Sequence, residues 1–343
     1  MTMMRCLSTL TIAASLVFAT GCGRPQDNAA APAASGGKPA KVKIGFIVKQ
    51  PEETWFQLEW RFAEDAAKQY GFELLKIAGP DGEKVLTAID NLAANGAQGF
   101  VICTPDVKLG PAIVAKAKAA NMKLLAVDDR FVGSDGQPMA DVHYLGISAG
   151  KIGESVGEAL FAEMQKRGWK AEESGCMAVT YDELDTIKDR TEGAIAGLTG
   201  KGFPADRVFK TATAKLEIPA AIDAANVLLT QKADIKQWLI CAGNDTCVMG
   251  AVRATEGRGL AAEQVIGIGI NGTDCLNEFR KEKMNGFVAS SLLSAKEHGF
   301  RTAEMMYKWI VDGVEPPKDT RTIGVLINRE NYQQVYAEQG LTL

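Results

Sequence analysis

The residues best equipped for chemistry in this 343-residue chain follow apolar runs, most of them directly and Arg190 after an intervening loop. Lys49, Glu52, Glu53 and Trp55 follow Val42–Val48, and Asp128 and Asp129 follow Leu124–Val127. Arg190 lies beyond Met177–Thr180, Asn244 follows Leu239–Ala242, and Asn271 and Asp274 follow Val265–Ile270. Carboxylates, amides, an ammonium and a guanidinium brought to one place form a set of fixed donors and acceptors. That set suits a polyhydroxylated ligand, because each sugar hydroxyl both gives and takes a hydrogen bond. The indole of Trp55 would complement the apolar C–H face of a pyranose. Such binding needs no group to change protonation state, in keeping with a chain that has only two histidines, His143 and His298, and no Cys-x-x-Cys. Zinc or histidine-based catalysis is disfavoured on that material, and no metal or cofactor is called for.

Those clusters need elements that carry them to one place. From Lys41 onward, apolar runs alternate with helical patterns, which predicts parallel sheets covered on both faces, an α/β fold. Strands are expected at Val42–Val48, Phe72–Ile77, Gly99–Cys103, Lys123–Val127 and Val142–Ile147. The alternation then restarts, with strands near Met177–Thr180, Val208–Lys210, Trp238–Ala242, Val265–Ile270 and Gly286–Leu293, so two similar halves are expected. In the helix expected at Trp55–Tyr70, the residues Phe56, Trp60, Ala63, Ala67 and Tyr70 mark the buried face, and Trp55 stands off it. Ligands of open parallel sheets sit beyond the carboxyl ends of the strands, where the polar clusters fall in both halves. Two such edges facing each other would enclose a cleft.

Plainer roles compete for the same residues. Glu52 and Glu53 also suit a helix start, Asp128-Asp129 a turn, and Asn244 and Asn271 helix caps. Arg190 is harder to explain this way, because a cation in the first turn of a helix is disfavoured unless an anion or a ligand oxygen meets it. Glu53 and Asp129 resemble a glycosidase pair in type, yet Lys49 and Arg190 in the same cleft leave no acid poised to protonate a leaving group. Gly267-Ile268-Gly269 is only a fragment of a dinucleotide fingerprint. A net charge of −4 supplies no basic field for nucleic acid.

Met1 to Gly21 carries one positive charge, Arg5, and a short apolar stretch broken by serines and threonines, which reads as an export signal (1–21). Ala19-Thr20-Gly21-Cys22 resembles a lipoprotein cleavage site, with Ala19 where leucine is usual, and makes Cys22 the expected lipid attachment point. The Ala, Pro, Ser and Gly that follow form an expected flexible tether (22–40), giving a lipid-anchored protein of the periplasm or cell envelope. Cys103, Cys176, Cys241, Cys247 and Cys275 remain. An odd count without regular spacing favours buried free thiols, with a pair among Cys241, Cys247 and Cys275 left open.

Eight stretches together carry a resemblance: KIGFIVKQPEETWF (Lys43–Phe56), PDGEK (Pro80–Lys84), GFVICTPD (Gly99–Asp106), AVDD (Ala126–Asp129), MQKRGW (Met164–Trp169), ELDT (Glu183–Thr186), VRATEG (Val252–Gly257) and IGIGING (Ile266–Gly272). In register from about Lys41 to the C-terminus, the chain resembles the arabinose-binding branch of the bacterial periplasmic pentose- and hexose-binding proteins. The resemblance implies the type I periplasmic-binding fold: two Rossmann-like, doubly wound parallel-sheet domains, 41–147 plus 293–323 and 148–292 plus 324–343, joined by a three-crossing hinge. It further implies a monomer that closes on an L-arabinose- or D-galactose-like aldopyranose and delivers it to an ABC permease, with chemoreceptor docking left open. Lys49, Glu53, Asp129, Arg190, Asn244 and Asn271 then stand where that branch hydrogen-bonds its sugar, Asp129 at the anomeric hydroxyl and Arg190 at the ring-oxygen side. Trp55 and Phe56 match its aromatic wall, and Asp128 and Asp274 are polar neighbours that would orient the others. The chain departs from the branch at Gly146, Ile147 and Gly243, where methionines are usual, and at Leu293, where a proline is. The lost volume is expected to admit a larger substituent at C5. A sugar-sensing regulator with the same core is disfavoured, because an expected export signal and tether stand where a DNA-binding helix pair would be.

Overall fold

Apolar runs buried on both faces build the molecule's two sheets, as in Gly99–Ile102 and Trp238–Ala242, where every residue is buried. The computed structural model describes residues 41–342. The expected export signal, the expected lipid attachment point Cys22 and the expected tether lie outside these residues. No described helix is long and apolar enough to cross a membrane.

The first lobe begins β1 (Lys43–Val48), α1 (Thr54–Tyr70), β2 (Glu73–Ala78), α2 (Gly82–Ala94), β3 (Gly99–Ile102), α3 (Gly110–Ala119), β4 (Lys123–Val127) and β5 (His143–Ile147). The chain then crosses to the second lobe with α4 (Ala149–Lys166), β6 (Gly175–Thr180), α5 (Asp185–Gly200), β7 (Val208–Ala212), α6 (Ile218–Gln231), β8 (Trp238–Ala242), α7 (Asp245–Gly257), β9 (Val265–Asn271), α8 (Leu276–Arg280) and β10 (Phe287–Leu292). A return crossing leads through a π-helical turn, Glu297–Arg301, into α9 (Thr302–Val311) and β11 (Asp319–Thr322) of the first lobe. A third crossing delivers β12 (Val325–Asn328) and α10 (Tyr332–Glu338) to the second.

The sheet orders are β11-β5-β4-β3-β1-β2 and β12-β10-β9-β8-β6-β7. All pairs are parallel except β10–β12, which is antiparallel. Each sheet is covered on both faces by helices and therefore has a core on each side. Helix α1 ends at Gly71, which donates to the Ala67 carbonyl with a left-handed φ of +77° that a side chain would strain.

The buried stripe of α1 is Phe56, Glu59, Phe62, Ala63 and Ala66, rotated from the expected face. Trp60, Ala67 and Tyr70 are half-buried at its flank. Trp60 donates to the Phe46 carbonyl and Tyr70 packs on Tyr307 of α9, so both lie at the edge of the core. The rotation brings a carboxyl, Glu59, into the interior.

Helices α4 and α5 touch through glycines. A methyl group on Gly153 would strike the Arg190 carbonyl, one on Gly157 the Ala194 carbonyl, and one on Gly197 the Glu154 carbonyl. The two backbones approach more closely than any larger residue would allow. The five described cysteines past the tether are all buried and free.

Candidate functional site

The carboxyl ends of the two sheets meet around a cavity of about 540 Å3. One wall is built by the first lobe: Lys49 and Glu53 from the loop after β1, Trp55 and Phe56 from the first turn of α1, Asp128 and Asp129 from the turn after β4, and Ile147 from the end of β5. The second lobe faces them with Arg190 on α5, Asn244 behind β8, Asn271 at the end of β9 and Leu293 behind β10. Strands β1, β4, β8 and β9 deliver their polar clusters to this rim, which is why residues far apart in sequence converge.

On the first wall the Lys49 ammonium bonds Asp129 Oδ2 at 2.5 Å. Burial alone would push Lys49 down, but the negative charge of Asp129 and Asp128 more than reverses this and holds the lysine above its ordinary value. Asp129 also takes the Cys103 thiol at 3.4 Å. Asp128 adopts φ +61°, a left-handed conformation that aspartate tolerates. Its backbone carbonyl accepts from the Tyr144 hydroxyl at 2.6 Å, and its carboxylate accepts from Trp55 Nε1 at 3.3 Å. The indole is thereby locked edge-on to His298, with ring centroids 5.2 Å apart.

Arg190 dominates the second wall. Only 8% exposed, it donates from Nη1 to the Gly243 carbonyl at 2.9 Å and to Asn271 Oδ1 at 3.0 Å, while Nε finds no partner. Among the described residues no carboxylate lies within ion-pair distance of it. Burial draws its guanidinium down to about 10, so it stays charged at neutral pH. Asn271 has φ +117°, a sparsely populated conformation for any residue but glycine. It is pinned there by the Leu293 amide on its carbonyl at 3.1 Å. The adjoining Gly272 gives its amide to Asp245 at 3.0 Å and takes the Tyr336 hydroxyl at 2.6 Å. Asp245 is fully buried, also accepts from Ser290 at 2.5 Å, and is pushed up to about 7 by its burial. Asn244 caps α7 through the Cys247 amide at 3.0 Å, leaving its amide nitrogen only a long bond to Leu216. Capping and cavity lining thus coexist at Asn244.

Gly146 and Gly243 do not line the cavity. A Cβ on Gly146 would strike the Tyr144 hydroxyl, and one on Gly243 would strike Ile187. The volume expected to open at these glycines is therefore filled by neighbouring side chains, and of the four departures only Ile147 and Leu293 shape the wall. Asp274 is absent from the lining, although its neighbour Thr273 is part of it. Sequence reasoning passed over Thr186, Ile187 and Leu216, which line the second wall from loops and from the start of α5. It also passed over Glu59, His298 and Thr322 behind Asp128; the available signal was a glutamate on the apolar stripe of an amphipathic helix.

A cleft with fixed, ionised and amide groups on both walls is equipped to hold a polar ligand between the lobes. The chain matches the family of periplasmic binding proteins and the sugar binding domain of the LacI family over residues 41–335. It is 52% identical over 301 residues to the L-arabinose-binding periplasmic protein of Escherichia coli K12, covering 88% of this chain and 92% of that one. It is 46% identical to the ABC transporter L-arabinose-binding periplasmic protein of Azospirillum brasilense, over 88% of this chain and 91% of the other. In fold it matches the periplasmic ribose ABC transporter structure from Conexibacter woesei, with a TM-score of 0.73 at 17% identity and coverage of 88% and 97%. The chain belongs to the periplasmic-binding-protein and LacI sugar-binding-domain family.

Proposed function

We propose that this protein binds an aldopyranose of the L-arabinose type in the cleft and presents it to an ABC importer, without chemically altering it. The observation that carries this reading is the division of partners: Lys49 and Asp129 on one lobe, Arg190 and Asn271 on the other, around one cavity. Only an approach of the two lobes lets a single sugar engage both sets, so ligand binding favours the closed arrangement through differential affinity. Arg190, buried with an unused Nε–H and no ion-paired carboxylate among the described residues, is a donor in want of an oxygen. The two named arabinose-binding relatives support the sugar class. Since Tyr144 and Ile187 fill the space beside the two glycines, a pentose without a C5 substituent is preferred.

Calorimetric titration of the purified protein, refolded to strip carried-over sugar, is expected to give a dissociation constant of roughly 0.1–1 µM for L-arabinose, equivalent to about −8 to −9.5 kcal/mol. D-Galactose should bind more weakly, D-ribose should not compete, and the sugar should be recovered unchanged. No binding to any aldose would refute the reading, and galactose tighter than arabinose would refute the pentose preference.

We further propose that the protein is exported and held to the cell envelope through an acylated Cys22. Cys22→Ser should move it from the membrane fraction to the soluble envelope fraction; equal fractionation of the two forms would overturn the anchor.

A further inference from the structure

Behind the first wall of the cleft, and reaching the cavity only at Asp128, lies a buried polar chain. Asp128 Oδ1 is 2.6 Å from His298 Nδ1, and His298 Nε2 is 2.9 Å from Thr322 Oγ1. Glu59 of α1 completes the group: it has no exposed surface, and neither of its oxygens receives a hydrogen bond. Glu59, Asp128 and His298 each offer an atom within 4.8 Å of the others. The titratable groups around Glu59 are Asp128 and Asp129 after β4, His298 on the π-helical turn, Cys103 after β3 and Lys49 after β1. None is hydrogen-bonded to either oxygen of Glu59. Lys49 is engaged by Asp129, and the Nδ1 of His298 faces Asp128 at 2.6 Å but lies 3.8 Å from Glu59.

An ionised carboxylate buried without a hydrogen-bond donor costs several kcal/mol. A carboxylic acid in the same place has an O–H to give, and the acceptor within reach is the Asp128 carboxylate. We propose that Glu59 is a positioning residue of the cleft that carries a proton, donates it to Asp128, and with His298 fixes the carboxylate against which Trp55 is oriented. The two acids thus share one proton and divide their roles. Burial and the neighbouring Asp128 hold Glu59 well above the carboxylate range. Burial pushes Asp128 up as well, but the bonds from His298, Glu59 and Trp55 outweigh it and leave Asp128 below its ordinary value.

The chain ends where the lobes join. His298 follows the return crossing, and Thr322 closes β11 at the third crossing. The Ser148 amide at the first crossing bonds the Thr322 carbonyl at 2.8 Å. The same proton therefore supports both the aromatic wall of the cleft and the strand end from which the hinge departs.

The test uses the whole protein, and its spectroscopic arm is independent of the sugar reading on which the affinity arm rests. At pH 8.5, where Asp245 is ionised, the infrared spectrum should contain a protonated-carboxyl C=O band that Glu59→Gln removes. Superimposable spectra would mean that Glu59 is ionised and would overturn the proposal. Glu59→Gln, which keeps a donor and no charge, should bind L-arabinose within about threefold of the unmodified protein, whereas Glu59→Leu should lose about tenfold or more. Gln as weak as Leu would overturn the donor role. Absence of arabinose binding by the unmodified protein would refute the sugar reading and leave the infrared comparison to decide this one.

Discussion

Arg190→Met is expected to weaken L-arabinose binding at least about a hundredfold, close to 3 kcal/mol. Methionine fills much of the same space with no donor, so the loss falls on hydrogen bonds rather than on packing. The guanidinium organises the second wall by joining the Gly243 carbonyl to Asn271 Oδ1, and it keeps an unpaired Nε–H. A bond from a charged donor to a ligand oxygen in a buried setting is worth about 1.5–3 kcal/mol, and the misplacement of Asn271 adds to it. Arg190→Lys should recover little, because a point ammonium cannot replace a planar fork serving several acceptors. Calorimetry with a matched thermal melt separates this from unfolding: the unliganded melting temperature should hold within a few degrees while the arabinose-induced rise vanishes. A loss of less than about tenfold would remove Arg190 from the ligand contacts.

Asp129→Asn should cost well over tenfold in affinity. The change keeps shape and removes charge, so it weakens a charge-assisted acceptor and leaves Lys49 without its anion. Because Lys49 and Asp129 act as one unit, Lys49→Met with Asp129→Asn should lose little more than the worse single variant. Additive losses in the four-member cycle would show that the two side chains serve the ligand independently.

The strands whose flanks form the cleft were legible because they are continuous apolar runs bounded by polar residues. Trp238–Ala242 and Lys123–Val127 are found at their expected limits. Two edge strands, β11 and β12, were not legible: Asp319–Thr322 reads DTRT, with no apolar residue, and is a strand only because β5 offers it a ladder. The rim residues could be named because topology places ligands beyond strand ends, whatever the intervening sequence. What surrounds them could not. Whether the space at Gly146 is empty depends on the Tyr144 ring two residues away on the same face, and the space at Gly243 depends on Ile187 from another helix. Glu59 escaped notice because a charge on an apolar stripe reads as a flaw in the pattern until its partners are in view.

The glycine contact between α4 and α5 also ties the aim of the second wall to a helix that never touches the cavity. Gly153 never meets the cavity, yet it lies against the carbonyl of Arg190 itself. Any heavier residue at that site would lever α5 outward and carry the guanidinium with it. A substitution on this helix, remote from the cavity, would therefore disturb the second wall through the backbone that aims it, whereas a change at a lining residue would act on the cavity directly.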